Sequence, residues 1–263
     1  MSLAYRNKIR FSRDKTAKSD TECHNRSPRS PQPPDRSTHS VAKKLALIRH
    51  FPLFRDFTPN ECEQLASSMT LRTVVRGTMI FAKGDACTGL MAVLSGWVKI
   101  KVVSATGREA LLNIVAPGEV MGEIALLDGR ARSSDAVAIS HCELMVMTRQ
   151  RFIPLLLSHP EVGLKMIELL CRRLRHVSER LEDALFLKSP CRLAKTLLRL
   201  ADQNVLRVLT QSEIGQIIGM SRESTNKQLR IWVDRKWIRL DRTGITLLKR
   251  DALAAVAAED CDP

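Results

Sequence analysis

The spacing of apolar residues changes along the chain, and each change marks a different kind of element. Residues 1–43 hold no period of two or 3.6. They are rich in Ser, Arg, Lys and Pro (SPRSPQPPDRS) and predict a disordered basic tail. Short helical patterns follow at 41–54 and 58–68, the second opened by Thr58, Pro59 and Glu61. The pattern then turns to short β-type runs. Eight of the twelve glycines fall between Gly77 and Gly129, and residues 98–102 alternate cleanly before a hairpin turn at Ala105, Thr106 and Gly107. Many short strands at close spacing predict a small barrel or roll over residues 44–157.

Residues 158–187 read as one long helix. Ile167, Leu170, Leu174, Val177, Leu181 and Ala184 follow at 3-4-3-4-3 spacing, flanked by Arg172, Arg173, Arg175, Glu179, Arg180 and Glu182. So narrow a seam with dense flanking charge predicts a helix-pair interface, here a homodimer through 158–187. Residues 188–253 return to short helices. An amphipathic stretch at 192–202 precedes a helix at 210–218 with the Thr210/Glu213 capping box, broken at Gly219 and Met220. Ser221 can cap a further helix over 222–234, and strands at 237–241 and 245–248 flank a turn at Arg242, Thr243 and Gly244. This predicts a helix-turn-helix with a wing, followed by a tail at 254–263. The predicted class is α+β: an N-terminal β-roll, a long dimerisation helix and a C-terminal winged helix-turn-helix.

Charge narrows the function. Lys+Arg number 42 against 28 Asp+Glu, a formal +14, and residues 206–250 carry ten basic and four acidic side chains. An anionic partner is implied, nucleic acid before membrane, because no apolar run approaches spanning length. Cysteines at 23, 62, 87, 142, 171, 191 and 261 form no C-x-x-C, so they read as reduced, mostly buried thiols in a cytoplasmic protein. The first fifteen residues lack the apolar segment of a signal peptide. His24, His50, His141, His159 and His176 are scattered singly, which predicts no metal site. No G-x-S-x-G, P-loop or H-E-x-x-H occurs, so no enzyme is predicted.

Two constellations carry chemistry. In TQSEIGQIIGMSRESTNKQLRIW (210–232), Ile214, Ile217 and Ile218 face inward, and the second helix offers Arg222, Glu223, Ser224 and Lys227 on its opening turns. Arginine can pair with guanine O6/N7 and glutamate can accept from cytosine N4 in a major groove. Thr210, Gln211 and Ser221, at the two helix starts, complete the candidate DNA-binding set. In the second constellation, Gly122 and Glu123 precede Arg132 and Ser133, with eight residues between the glutamate and the arginine. This run resembles the phosphate-binding cassette of cyclic-nucleotide-binding domains. The resemblance implies a cyclic phosphodiester whose one negative charge the Arg132 fork can meet, with Ser133 as a further donor and Glu123 accepting from a ribose 2′-OH. The same glutamate and arginine could instead form a structural pair.

From residue 47 to about 253, the sequence resembles the Crp/Fnr superfamily of bacterial transcription regulators. The resemblance implies that Arg222, Glu223 and Lys227 read base edges. Lys227 stands where an arginine is often found, which keeps the charge and loses the bidentate fork. It also implies that residues 122–133 form a phosphate-binding cassette, that Arg173 belongs to the site, and that Ser178 matches a position contacting adenine. Val177 replaces a hydroxyl residue, and Asp135 places an extra acid near the anion site. The implied effector is a cyclic nucleotide, cyclic AMP favoured, with no cofactor required. Implied partners are RNA polymerase and duplex DNA with an approximately palindromic operator. Two alternatives stay open: a vestigial pocket, with control by expression level or by thiol redox at Cys171 or Cys191, and a nucleotide-binding module that regulates a partner protein. An iron–sulfur version needs a cysteine cluster near the N-terminus, where only Cys23 stands.

Overall fold

Residues 44, 45, 48, 51–241 and 244–258 are described in the computed structural model, all within one unit, Ser37–Pro263. The predicted tail at 1–43 lies outside the described residues, as do Arg242 and Thr243 of the predicted turn.

The β-roll is built from eight strands: β1 (Thr70–Val74), β2 (Met79–Phe81), β3 (Gly89–Ser95), β4 (Val98–Val103), β5 (Glu109–Val115), β6 (Val120–Met121), β7 (Asp135–Ala138) and β8 (Cys142–Thr148). They form two antiparallel sheets, ordered β1-β8-β3-β6 and β2-β7-β4-β5. Strand alternation explains how one sheet serves two cores. From β3 and β8, Met91, Val93 and Leu144 enter the core between the sheets, with Val98, Val115 and Ala136 opposite. Their neighbours Leu90, Ala92, Met145 and Met147 enter a second core on the other face. There they meet α1 (Pro59–Ser68), α3 (Arg149–Ser158) and Val162 and Met166 at the start of the long helix. The helix start read at Thr58 is a complete capping box with Glu61.

A six-residue helix, α2 (Glu123–Asp128), sits between β6 and β7. The long helix α4 runs Pro160–Phe186, and two residues, Leu187 and Lys188, separate it from α5 (Ser189–Asp202). Then come α6 (Gln211–Ile218), α7 (Arg222–Asp234), the wing strands β9 (Ile238–Asp241) and β10 (Gly244–Leu247), and α8 (Arg250–Ala258). Residues 254–258 are therefore helical, where the sequence suggests a tail. Leu253 on α8 is fully buried in the core formed with α5, so the last turns are held by packing.

That third core does not stop at the C-terminal elements. Leu111 and Ile139 of the roll are buried in it together with Leu193, Leu197, Ile214, Leu229 and Trp232. The roll and the C-terminal elements thus share one continuous apolar cluster. Among the described cysteines, Cys62, Cys142 and Cys191 are buried as expected, but Cys171 on α4 is exposed. It lies on a helix that has only Val162 and Met166 buried, so in the single chain most of α4 faces solvent. No helix among the described residues is long and apolar enough to cross a membrane.

Candidate functional site

Three successive devices build the Arg132 end of the roll. Gly122 ends β6 at φ +81°, a left-handed conformation that suits glycine, and a Cβ there would sit 2.3 Å from Arg132 Nη1. The backbone of Arg132 is pinned by the β2–β3 loop: its amide donates to Asp85 O at 2.8 Å, and its carbonyl accepts from Gly84 N at 2.8 Å. The guanidinium then turns inward, 3% exposed, donating to Gly122 O (3.0 Å) and Gly89 O (2.7 Å) and lying 4.4 Å over the Phe81 ring. Its Nε is buried with no hydrogen-bond partner among the described residues. No carboxylate among the described residues pairs with the guanidinium. Glu123, also 3% exposed, pairs instead with Arg173 of α4, which donates to Val120 O as well. The structural Glu123–Arg132 pair weighed from the sequence is not formed.

These residues line a cavity of about 850 Å³, within the usual range for small-molecule sites. Gly122, Glu123, Arg132 and Ser133 line it together with Arg173 and Val177 of α4. Ser178 does not: it is exposed, and its hydroxyl donates to Leu174 O at 3.0 Å, one turn back along α4. Asp135 is not in the lining either; its carboxylate accepts from Lys83 N at 2.8 Å and so holds the loop that pins Arg132. The acid that looks misplaced in the sequence serves the backbone of the site. Two lining residues, Arg199 of α5 and Gln203 that caps it, lie beyond the hinge, and nothing in the local pattern points to them.

The second surface is set by caps. Thr210 and Glu213 satisfy each other's orphan groups at the start of α6, and Ser221 Oγ accepts from Ser224 N at 3.1 Å to start α7. The two helices cross where Gly215 meets Thr225, with no room for a Cβ: it would lie 2.6 Å from Thr225 Oγ1. Gly219, at φ +73°, closes the turn. This leaves Arg222, Glu223, Ser224 and Lys227 exposed along the start of α7, while Thr225 and Leu229 are buried beneath them. Thr210, Gln211 and Arg222 line one depression, so both helix starts open on the same surface.

Between the two surfaces lies a polar interface. Lys99 on β4 pairs with Glu213 on α6 at 2.7 Å, their side chains 16% and 11% exposed. Gln216 of α6 donates to Glu109 of β5. Arg180 of α4 donates to the carbonyls of Leu111 and Leu112 in β5 and of Ile217 in α6. Burial lowers the Arg180 pKa from its usual value. Burial alone would raise the Glu213 pKa, but the bonds from Lys99 and Thr210 outweigh it and hold the carboxyl below 4.5. None of these partners is legible locally, since Lys99 and Glu213 stand 114 residues apart.

Residues 71–159 match the cyclic nucleotide-binding domain, and residues 191–256 match the Crp-like helix-turn-helix domain. The chain is 34% identical over 211 residues to the CRP-like cAMP-activated global transcriptional regulator of Mycobacterium tuberculosis, covering 77% of this chain and 94% of that protein. It is 32% identical to the cyclic AMP receptor protein of Thermus thermophilus, covering 72% and 88%. A solved transcriptional regulator of the CRP/FNR family from Thermus thermophilus shares the fold, with a TM-score of 0.63 at 23% identity over 73% of this chain and all of that one.

Proposed function

The chain belongs to the Crp/Fnr family of transcription regulators, and from that premise we propose a homodimer that binds cyclic AMP in the β-roll and an approximately palindromic operator through two copies of α7. One observation carries the effector reading. Arg132 is a buried cation with no carboxylate partner and an unpartnered Nε, held ready in a cavity by main-chain carbonyls. A cyclic phosphodiester supplies the missing acceptor at the matching charge. Glu123, held by Arg173 and lining the same cavity, would accept from a ribose hydroxyl. The names of the Mycobacterium tuberculosis and Thermus thermophilus relatives favour cyclic AMP.

The dimer reading rests on the seam. In the single chain, Ile167, Leu174 and Leu181 are 57%, 67% and 59% exposed, a stripe that a second α4 would cover. Nucleotide drawn to Glu123 and Arg132 would act on α4 through Arg173, and α4 holds the reader through Arg180. Effector binding then biases one arrangement of the two reading heads, provided it favours that arrangement over the other. Recruitment of RNA polymerase and a cytoplasmic location complete the proposal. Calorimetric titration with cyclic AMP and cyclic GMP, followed by gel shift of genomic fragments with and without the bound nucleotide, tests it. The effector half is abandoned if neither nucleotide binds; the reader half, if no fragment shifts.

A further inference from the structure

The effector cavity holds more positive charge than one cyclic phosphodiester needs. Of the cations lining it, Lys165 is paired with Asp56, Arg173 with Glu123, and Arg132 with main-chain carbonyls, while Arg55 and Arg172 are exposed and, among the described residues, without such a partner. Arg199 of α5 has no hydrogen-bond or ion-pair partner among the described residues, although it is no more than partly exposed. Burial, and then the nearby Arg180, lower its pKa. His176 of α4 lines the same cavity, and burial followed by Arg199 and Arg180 lowers its pKa too. The acids facing this group are Glu179 and Asp183 of α4. Asp183 is taken by Lys195 at 2.6 Å, and Glu179 is a mostly exposed carboxylate 3.9 Å from His176. Guanidinium and imidazole line one cavity, partly out of water, and Arg199 is bonded to no acceptor among the described residues. That arrangement is costly unless an anion fills it.

We propose that Arg199, with His176 and Arg172, forms a second oxyanion subsite in the effector cavity, one that takes a phosphate group. The fork of Arg199, a second guanidinium and an imidazole offer more donors than the two oxygens of a carboxylate can use. The phosphate comes either from a second phosphoryl group of the effector or from free inorganic phosphate bound beside it. This rests on the reading that the Arg132 end takes a cyclic nucleotide, and it deepens that reading. Because Arg199 belongs to α5, an anion there touches the DNA-binding half directly and couples it to the cavity without passing through the dimer seam.

The test is calorimetric, on the full chain: wild type, Arg199→Gln and Arg199→Lys. Each is titrated with cyclic AMP in phosphate-free buffer, with cyclic AMP in inorganic phosphate at matched ionic strength, with inorganic phosphate alone, and with cyclic di-AMP. Wild type should prefer either cyclic di-AMP over cyclic AMP, or cyclic AMP with phosphate over cyclic AMP without it, by about tenfold or more. The first preference identifies a second phosphoryl group, the second a free phosphate. Arg199→Gln should lose the preference, read as the ratio of the two affinities within the variant; Arg199→Lys, which keeps the charge, should retain part of it. Cyclic AMP binding with neither preference overturns the subsite, as does a preference that survives in Arg199→Gln. Phosphate binding that depends on Arg199 while no nucleotide binds would support the subsite and defeat the effector reading instead.

Discussion

Replacing Lys99 by methionine tests whether sensor and reader are held together as the interface indicates. The change keeps the stem of the side chain and removes the ammonium from a pair whose members are 16% and 11% exposed. Glu213 would remain, holding its two bonds from Thr210, so the α6 cap survives and only the interdomain bond is lost. A hydrogen bond to a charged group contributes about 1.5–3 kcal/mol, which translates into roughly a 10- to 100-fold rise in the population with the reader undocked. Amide hydrogen exchange reads this directly. Protection across residues 214–218 should fall by about that factor wherever exchange runs through undocking. Amides of β3 and β8, which pack into the roll's own cores, should keep theirs. The pH dependence has a definite sign. Because the docked Glu213 carboxyl lies below 4.5, its contribution is present above the ordinary carboxylate pKa and is lost as pH falls through the depressed value. Wild-type docking should weaken on acidification, and Lys99→Met should weaken less. Unchanged protection of α6 in Lys99→Met would refute the reasoning, because the pair would then contribute nothing to docking.

Other expectations follow from the site and the seam. Leu174→Glu combined with Leu181→Glu places charge in the exposed stripe and should release monomers, seen as a halved mass in light scattering. Arg132→Leu should weaken cyclic AMP binding by roughly 2–4 kcal/mol by calorimetry, and equal affinity would mark the pocket as vestigial. Arg222→Ala should cost about 1–3 kcal/mol on the matched operator and much less on random duplex. Glu223→Ala should lose operator affinity while gaining on random DNA in competition binding; a uniform gain would mean that Glu223 reads no base.

What could be read from the sequence was what neighbouring residues decide among themselves. The caps at Thr58, Thr210 and Ser221, the β4–β5 hairpin and the long helix all follow from side chains within a turn or two of each other. The cassette was legible because its spacing is short. What escaped depends on distant partners. Helix α3 carries Pro154 in its interior, which argues against a helix locally, yet Phe152 is fully buried in the core beneath β3 and β8 and holds the segment in place. The end of α8 read as a tail because its Ala-rich sequence shows little contrast, and only the packing of Leu253 against α5 reveals it. The Arg173–Glu123 pair, the three carbonyls under Arg180 and the place of Arg199 in the cavity are choices of tertiary geometry. Ser178 shows the converse: a position implied by resemblance that this chain turns away from its own cavity.

The core shared by roll and reader has a spectroscopic consequence. The chain has three tryptophans, and all of them belong to that one cluster: Trp232 is buried within it, while Trp97 of the roll and Trp237 of the reader pack against it. Its one tyrosine, Tyr5, lies far along the chain in the basic N-terminal segment. Indole emission from the unlabelled protein therefore reports on a single place, the seam between sensing and reading. An effector that separates or repacks the two halves should displace the emission maximum, because Trp97 and Trp237 would exchange apolar neighbours for water. A ligand that merely occupies the roll should leave the spectrum where it was. The protein carries three indoles at one joint, and a titration in a fluorimeter can distinguish a ligand that repacks that joint from one that does not.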